Sequence, residues 1–272
     1  MNTTTTMPSF GEHLRQWRRR RHLSQEALAD RANLSTRHLS FLETGRANPS
    51  REMVLRLADR LEVPLRERNP MLQSAGYAPR YHSTPLDAPA MGAARRAIEI
   101  VLERHLPNPC LAFDRHYDVI AANAAAAALM QGAAPELLAP PVNALRLSLH
   151  PAGVAPRIVN LVQWRRHLLE RLQRQCEATG DATLAALYDE VRDYPCPSAS
   201  STDEPDPEPE HPGVLLPLKL RTERGVLSFV STVTVFGTPH DITLQELAIE
   251  TFFAADEVTA RALERGFGAA AA

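Results

Sequence analysis

Ser24-Gln25-Glu26-Ala27-Leu28-Ala29-Asp30-Arg31-Ala32-Asn33-Leu34-Ser35-Thr36-Arg37-His38-Leu39-Ser40-Phe41-Leu42-Glu43-Thr44-Gly45 decides the fold of the first part of this chain. Ser24 and Ser35 each precede a run with helical spacing, and a serine hydroxyl at that position accepts a bond from a backbone N–H that the helix leaves unpaired. The spacing predicts one helix over 25–32, with Leu28 and Ala29 inward, and a second from 35 to 43 or 44. Asn33-Leu34 is the turn between them. Gly45 suits the left-handed conformation that closes a helix.

Outward from this pair, residues 10–21 read as a helix with Leu14 and Trp17 inward and Arg15, Arg18 and Arg19 outward. Asn48-Pro49-Ser50 is a loop ending in a cap. A fourth helix over 51–61 places Val54, Leu57, Ala58 and Leu61 on one face, and a fifth follows over 66–75. Gly76-Tyr77-Ala78-Pro79 ends an all-α, five-helix domain at 9–80, and 81–92, with Pro85 and Pro89, reads as a connector.

On a helical wheel Leu39 and Leu42 take one side of the 35–44 helix, and Thr36, Arg37, Ser40, Phe41 and Thr44 the other. A short helix with an arginine-bearing polar edge suits the DNA major groove. Arg37 can pair with guanine O6 and N7, and Thr36 or Phe41 can touch a thymine methyl. Ser35, His38 and Ser40 complete this reading edge. Gln25, at a positive helix end, is placed for a phosphate; Arg46, Asn48 and Arg51 would hold the opposite backbone. The plain alternative is a helical bundle with a solvated charged face, but caps, turn, spacing and charge all favour DNA.

The charge is uneven. The 272 residues carry a net charge of −2, yet residues 1–80 hold fourteen arginines against eight acidic residues, a balance of +6, leaving sixteen basic and twenty-four acidic residues, or −8, for the remainder. A basic first segment on an acidic body implies that only the former faces a polyanion.

The motifs Ser24-Gln25-Glu26-Ala27-Leu28-Ala29, Leu34-Ser35, Leu39-Ser40, Glu43, Gly45-Arg46 and Pro49-Ser50 resemble the Cro/cI-type (Xre-like) helix-turn-helix family over about residues 10–63. The resemblance implies a lambda-repressor-like fold of five helices, with 36–41 reading bases and Gln25 and Arg46 gripping backbone. Phe41 departs from the family, where short polar residues or Gln are common. A lone unit makes few phosphate contacts, so a homodimer on half-sites roughly 34 Å apart is expected, on double-stranded DNA.

The second part reads as α+β. A helix over 93–105 precedes a hairpin at 111–114 and 118–121; helices are expected at 123–130, 156–178 and 181–193, strands at 214–222, 225–236 and 247–253, and a last helix at 256–265. The Pro-, Ser- and acid-rich stretch 195–213 has no apolar period and reads as a mobile loop, and Gly237-Thr238-Pro239 as a turn. An antiparallel sheet with helices on one side commonly leaves a small-molecule cavity.

Leu111-Ala112-Phe113-Asp114-Arg115, Val119-Ile120-Ala121-Ala122-Asn123, Asn143, Arg146-Leu147, Leu149-His150-Pro151 and Ser231-Thr232, Thr234, Phe236-Gly237-Thr238-Pro239 resemble the MmyB-like ligand-binding domain. This implies a PAS-like module at 93–265 whose ligand is a fatty acid or similar amphiphile. Trp164, Phe229, Phe236 and Phe252 are candidate apolar lining residues, and Arg146, His150, Arg157 and Asn160 candidate partners for a carboxylate. For each, plain core or a structural bond is the competing role.

Other classes find less support. There is no G-x-S-x-G elbow, the sole Lys219 follows Pro217-Leu218 rather than a glycine-rich turn, and Ser228, Ser231, His240 and Asp241 lack the spacing of a known triad. No catalytic residue, metal ligand or cofactor is therefore expected, and the chain is read as not an enzyme. Cys110, Cys176 and Cys196 are odd in number and far apart, as structural thiols of a reducing compartment would be. With no secretory signal or membrane-length apolar run, a cytoplasmic, bacterial regulator is the expectation. The serious rival makes the second domain an oligomerisation or protein-interaction module without a ligand; an enzyme fused to a DNA-binding domain is the distant one.

Overall fold

Four serines start four helices. In the computed structural model, which describes residues 8–196, 216–237 and 241–267, Ser9, Ser24, Ser35 and Ser50 cap α1 (Phe10–Arg20), α2 (Gln25–Ala32), α3 (Thr36–Glu43) and α4 (Arg51–Arg60). Each hydroxyl accepts the backbone N–H three residues on, of Glu12, Ala27, His38 and Met53. Glu12 reaches back to Ser9 N at 2.7 Å, completing a reciprocal cap. The fifth helix, α5 (Leu65–Ser74), starts at Pro64 without a side-chain cap. Asn33 makes the α2–α3 turn in the left-handed conformation (φ 55°, ψ 52°) that asparagine tolerates.

These five helices enclose Leu14, Trp17, Leu28, Leu39, Leu42, Leu57, Leu61, Met71 and Leu72. Helix α1 lies so close to the end of α3 that a Cβ on Gly11 would stand 2.5 Å from the Glu43 carbonyl oxygen, which is why α1 carries glycine there. The expectation that Arg18 points outward is corrected: its side chain is 12 % exposed and bonds inward to Glu43.

The second compact unit takes up most of the chain after residue 85. It holds a five-stranded sheet of β1 (Cys110–Phe113), β2 (Val119–Ala122), β3 (Leu218–Thr222), β4 (Gly225–Val235) and β5 (Ala248–Ala254). The order is β2-β1-β5-β4-β3 and every pairing is antiparallel, so the last strand fills the centre. This is the α+β, PAS-like arrangement. The helices after residue 85 are α6 (Gly92–Arg104), α7 (Ala124–Met130), α8 (Pro135–Leu138), α9 (Ala144–Leu149), α10 (Leu161–Thr179), α11 (Ala182–Arg192), α12 (Ile242–Gln245) and α13 (Glu257–Phe267). Trp164, Leu168 and Leu172 recur every fourth residue on α10 and pack, with Leu184, Leu187 and Val191 of α11, on the face of the sheet that carries Leu111, Leu220 and Phe229.

The long helix expected over 156–178 is broken. A single turn, Ala155–Arg157, ends at Ile158, whose extended backbone (φ −78°, ψ 113°) bridges to Leu220, and Val159 N donates to Lys219 O at 2.8 Å. Edge pairing with β3 thus satisfies groups that a continuous helix would have used. Short α8 and α12 carry too few residues for a periodic signal. The expected loop at 195–213 lies, from residue 197 on, outside the described residues, as do Thr238-Pro239 and the alanine-rich end. Among the described residues no helix is long and apolar enough to cross a membrane, and no cluster of three metal-ligating side chains occurs.

Candidate nucleic-acid interface and ligand cavity

Helix α3 is anchored by burying Leu39 and Leu42 and leaves its other edge outward. Thr36 and Arg37 are exposed there, with Ser40, Phe41 and His38 half-buried beside them and Ser35 exposed at the cap. The Arg37 guanidinium lies 5.3 Å from the centre of the Phe41 ring. That cation–π contact props the arginine on the reading edge and gives Phe41 a supporting part. Arg46, Asn48 and Arg51 are exposed beyond the end of α3 and at the start of α4. The loop is tied back by Arg46 N and Ala47 N, both donating to Phe41 O.

Gln25 stands at the start of α2, where a phosphate contact is expected, but it also has an internal partner. Its Nε2 donates to Glu43 Oε2 at 2.8 Å. Glu43 is 3 % exposed and receives both Arg18 Nε at 2.6 Å and Nη2 at 3.1 Å, while Arg15 donates to the Glu43 carbonyl. Burial by itself would push the Glu43 carboxyl up. The bonds from Arg18 and Gln25 and the charges of Arg18 and Arg15 outweigh it and hold the group below its ordinary value. Sequence reasoning missed this anchor. Its signal was a carboxylate directly after Leu42, in register with the buried edge of α3.

The second unit contains an apolar cavity of about 100 Å³ between the sheet and helices α7, α9 and α10. Ala126, Leu129, Leu145, Leu147, Leu168 and Leu220 line it, with Trp164 and Phe252 among the larger groups. Four polar residues reach its wall: Tyr117, Ser148, Arg171 and Glu250. Tyr117 sits in the β1–β2 turn with a left-handed backbone (φ 67°), unusual for an aromatic residue, and stacks on Phe113 with ring centres 5.2 Å apart. Its hydroxyl donates to Gln175 Oε1 at 2.7 Å, and burial raises its pKa above the usual phenol value. Trp164 Nε1 donates to Ser148 Oγ, and Arg171 Nη1 to Glu250 Oε1 at 3.2 Å.

Of the eight residues expected to meet a ligand, the structure brings Trp164 and Phe252 to the cavity. Phe229 is fully buried core, edge-on to Phe252, and Phe236 is half-buried beyond the end of β4. The four polar candidates have other partners. Arg146 grips Glu190 with two bonds of 2.8 and 2.7 Å; Arg157 donates to Leu129 O; Asn160 donates to Pro217 O and accepts from Lys219 N. His150 Nδ1 accepts from Ala152 N, and its ring lies edge-on to Tyr194. Arg171 and Glu250, which line the cavity instead, lay among helix and strand positions with no local signal.

Residues 94–265 match the family described as MmyB-like transcription regulator ligand binding domain, and residues 9–71 match a helix-turn-helix domain family. Among solved structures, the restriction-modification controller protein C.AhdI from Aeromonas hydrophila is 37 % identical over 22 % of this chain and 89 % of its own, with a TM-score of 0.21. No curated protein matches the chain.

Proposed function

The chain belongs to the MmyB-like transcription regulators, DNA-binding proteins with a helix-turn-helix unit and a ligand-binding domain, and from that premise we propose that it acts as a homodimer whose DNA affinity responds to a small amphiphile. Two copies of α3 read the half-sites of a two-fold symmetric operator. Thr36, Arg37 and Phe41 meet base edges, while Gln25, Arg46, Asn48 and Arg51 meet phosphates. The observation that carries this reading is the exposed edge of α3, with Arg37 propped on Phe41, on a segment whose charge balance is +6 over residues 1–80.

The hydrocarbon part of such an amphiphile occupies the cavity against Trp164 and Phe252. It changes DNA binding only through unequal affinity for two dimer geometries. A tenfold effect on the operator needs about 1.4 kcal/mol of such coupling.

Arg37→Ala tests the DNA reading. It is expected to cost about 1–3 kcal/mol on the cognate site and to relax preference at one base pair, as read by fluorescence anisotropy over a panel of operator variants. Equal weakening on every sequence would make Arg37 a phosphate contact. Native mass spectrometry of the protein on its operator duplex must show two chains; a single chain at saturation would sink the dimer.

A further inference from the structure

Residues 248, 250, 252 and 254 of the central strand β5 share one face of the sheet: Ala248, Phe252 and Ala254 pack against the apolar core, and Glu250 and Phe252 line the cavity. Glu250 breaks that apolar pattern. It is 8 % exposed and pairs across the sheet with Leu111 and Val233. A carboxylate in such a wall needs a charged or hydrogen-bonding partner, and Arg171 provides one from α10. The Arg171 guanidinium is itself held over the rings of Phe113 and Tyr117, 5.9 and 5.6 Å from their centres. The cavity wall therefore presents an N–H donor and a carboxylate acceptor side by side, with no net charge.

Resting on the cavity reading above, we propose that this site selects an uncharged amphiphile bearing a hydroxyl or amide over the matching carboxylate, and that Glu250 is the residue that selects. A hydroxyl accepts from Arg171 and donates to Glu250, so it joins the pair without displacing either member. A carboxylate can only accept. It brings a second negative charge beside Glu250, in surroundings where like charges repel far more than in water. The free space, about 100 Å³, is smaller than the roughly 150 Å³ cavity known to take benzene, so the group held beside the pair carries a short chain.

The test uses 1-butanol and butanoate on the full chain, followed by the indole N–H resonance of Trp164 in ¹H–¹⁵N spectra. Trp17, buried in the first unit, is the internal control. Butanol is expected to shift the Trp164 signal with a Kd at least roughly tenfold below that of butanoate, and Glu250→Gln to erase most of that gap by tightening butanoate. Arg171→Met, a second variant that keeps the apolar stem, is expected to weaken butanoate further. Equal binding of both compounds by the natural chain, or an unchanged ratio in Glu250→Gln, overturns the selection and leaves the cavity reading standing. If neither compound moves Trp164 in any variant while propane does, the polar pair faces no ligand and the selection fails. If nothing moves it, the cavity reading falls as well.

Discussion

Glu43→Ala is expected to cost the helix-turn-helix unit about 3–5 kcal/mol and to abolish operator binding, because it strands a largely buried arginine. The Arg18 side chain is 12 % exposed and has two bonds to the Glu43 carboxylate. Without that carboxylate the guanidinium keeps, among the described residues, only Leu23 O, 2.8 Å away. Gln25 loses its partner at the same time, so the start of α2 and the end of α3 come apart where DNA would meet them. Urea titrations read by Trp17 fluorescence give the cost, and anisotropy with operator DNA gives the binding loss. A cost below about 1 kcal/mol would mean that water replaces the carboxylate, as at exposed ion pairs.

The same pair sets a pH dependence. The folded carboxyl of Glu43 has a pKa below its ordinary value, so its stabilisation is complete above the unfolded pKa, about 4.3. It is lost as pH falls through the lower, folded one. The natural chain should therefore lose stability on acidification below about pH 4 more steeply than Glu43→Gln, which has no proton to take up. Parallel acid limbs in the two proteins would assign the titration to another group.

Asn123→Ala is the second large expected effect, about 2–4 kcal/mol on the second unit. Asn123 is 7 % exposed, and its one amide makes four bonds. The oxygen accepts from Cys110 N at 3.1 Å and Ala126 N at 3.0 Å; the nitrogen donates to Leu102 O at 3.1 Å and Asn108 O at 2.9 Å. These bonds join the end of α6, the start of β1 and the first turn of α7, whose Ala126 and Leu129 line the cavity. Asn123→Asp separates the two halves of the role. Aspartate caps a helix as well as asparagine does, but it has no N–H for the two carbonyls and sets a charge against them. Asn123→Asp should therefore be no more stable than Asn123→Ala in thermal unfolding followed by Trp164 fluorescence. Recovery to the natural stability would reduce Asn123 to a helix cap.

Much of the first unit was legible residue by residue. Ser24, Ser35 and Ser50 began helices where their spacing said they would, and the outward edge of α3 followed from placing Leu39 and Leu42 inward. Capping, turn formation and helical periodicity act over three or four residues, so the sequence carries them in plain view. The sheet was partly legible: the five strands were found within a few residues, yet nothing local said that β5 would lie at its centre.

Position in space followed other rules. Helical spacing sets Arg18 outward, yet its side chain forms a largely buried pair with a residue 25 positions away. Arg146, His150, Arg157 and Asn160 looked like a ligand's partners and bond instead to Glu190 and to backbone groups. Arg171 and Glu250 stand 79 positions apart and carried no motif at all. A side chain's type fixes which bonds it can make, and its neighbours in sequence set its local conformation. Which charge is buried, and which partner it then requires, depends on where two distant segments meet, and that was settled only when the helices and the sheet closed on each other.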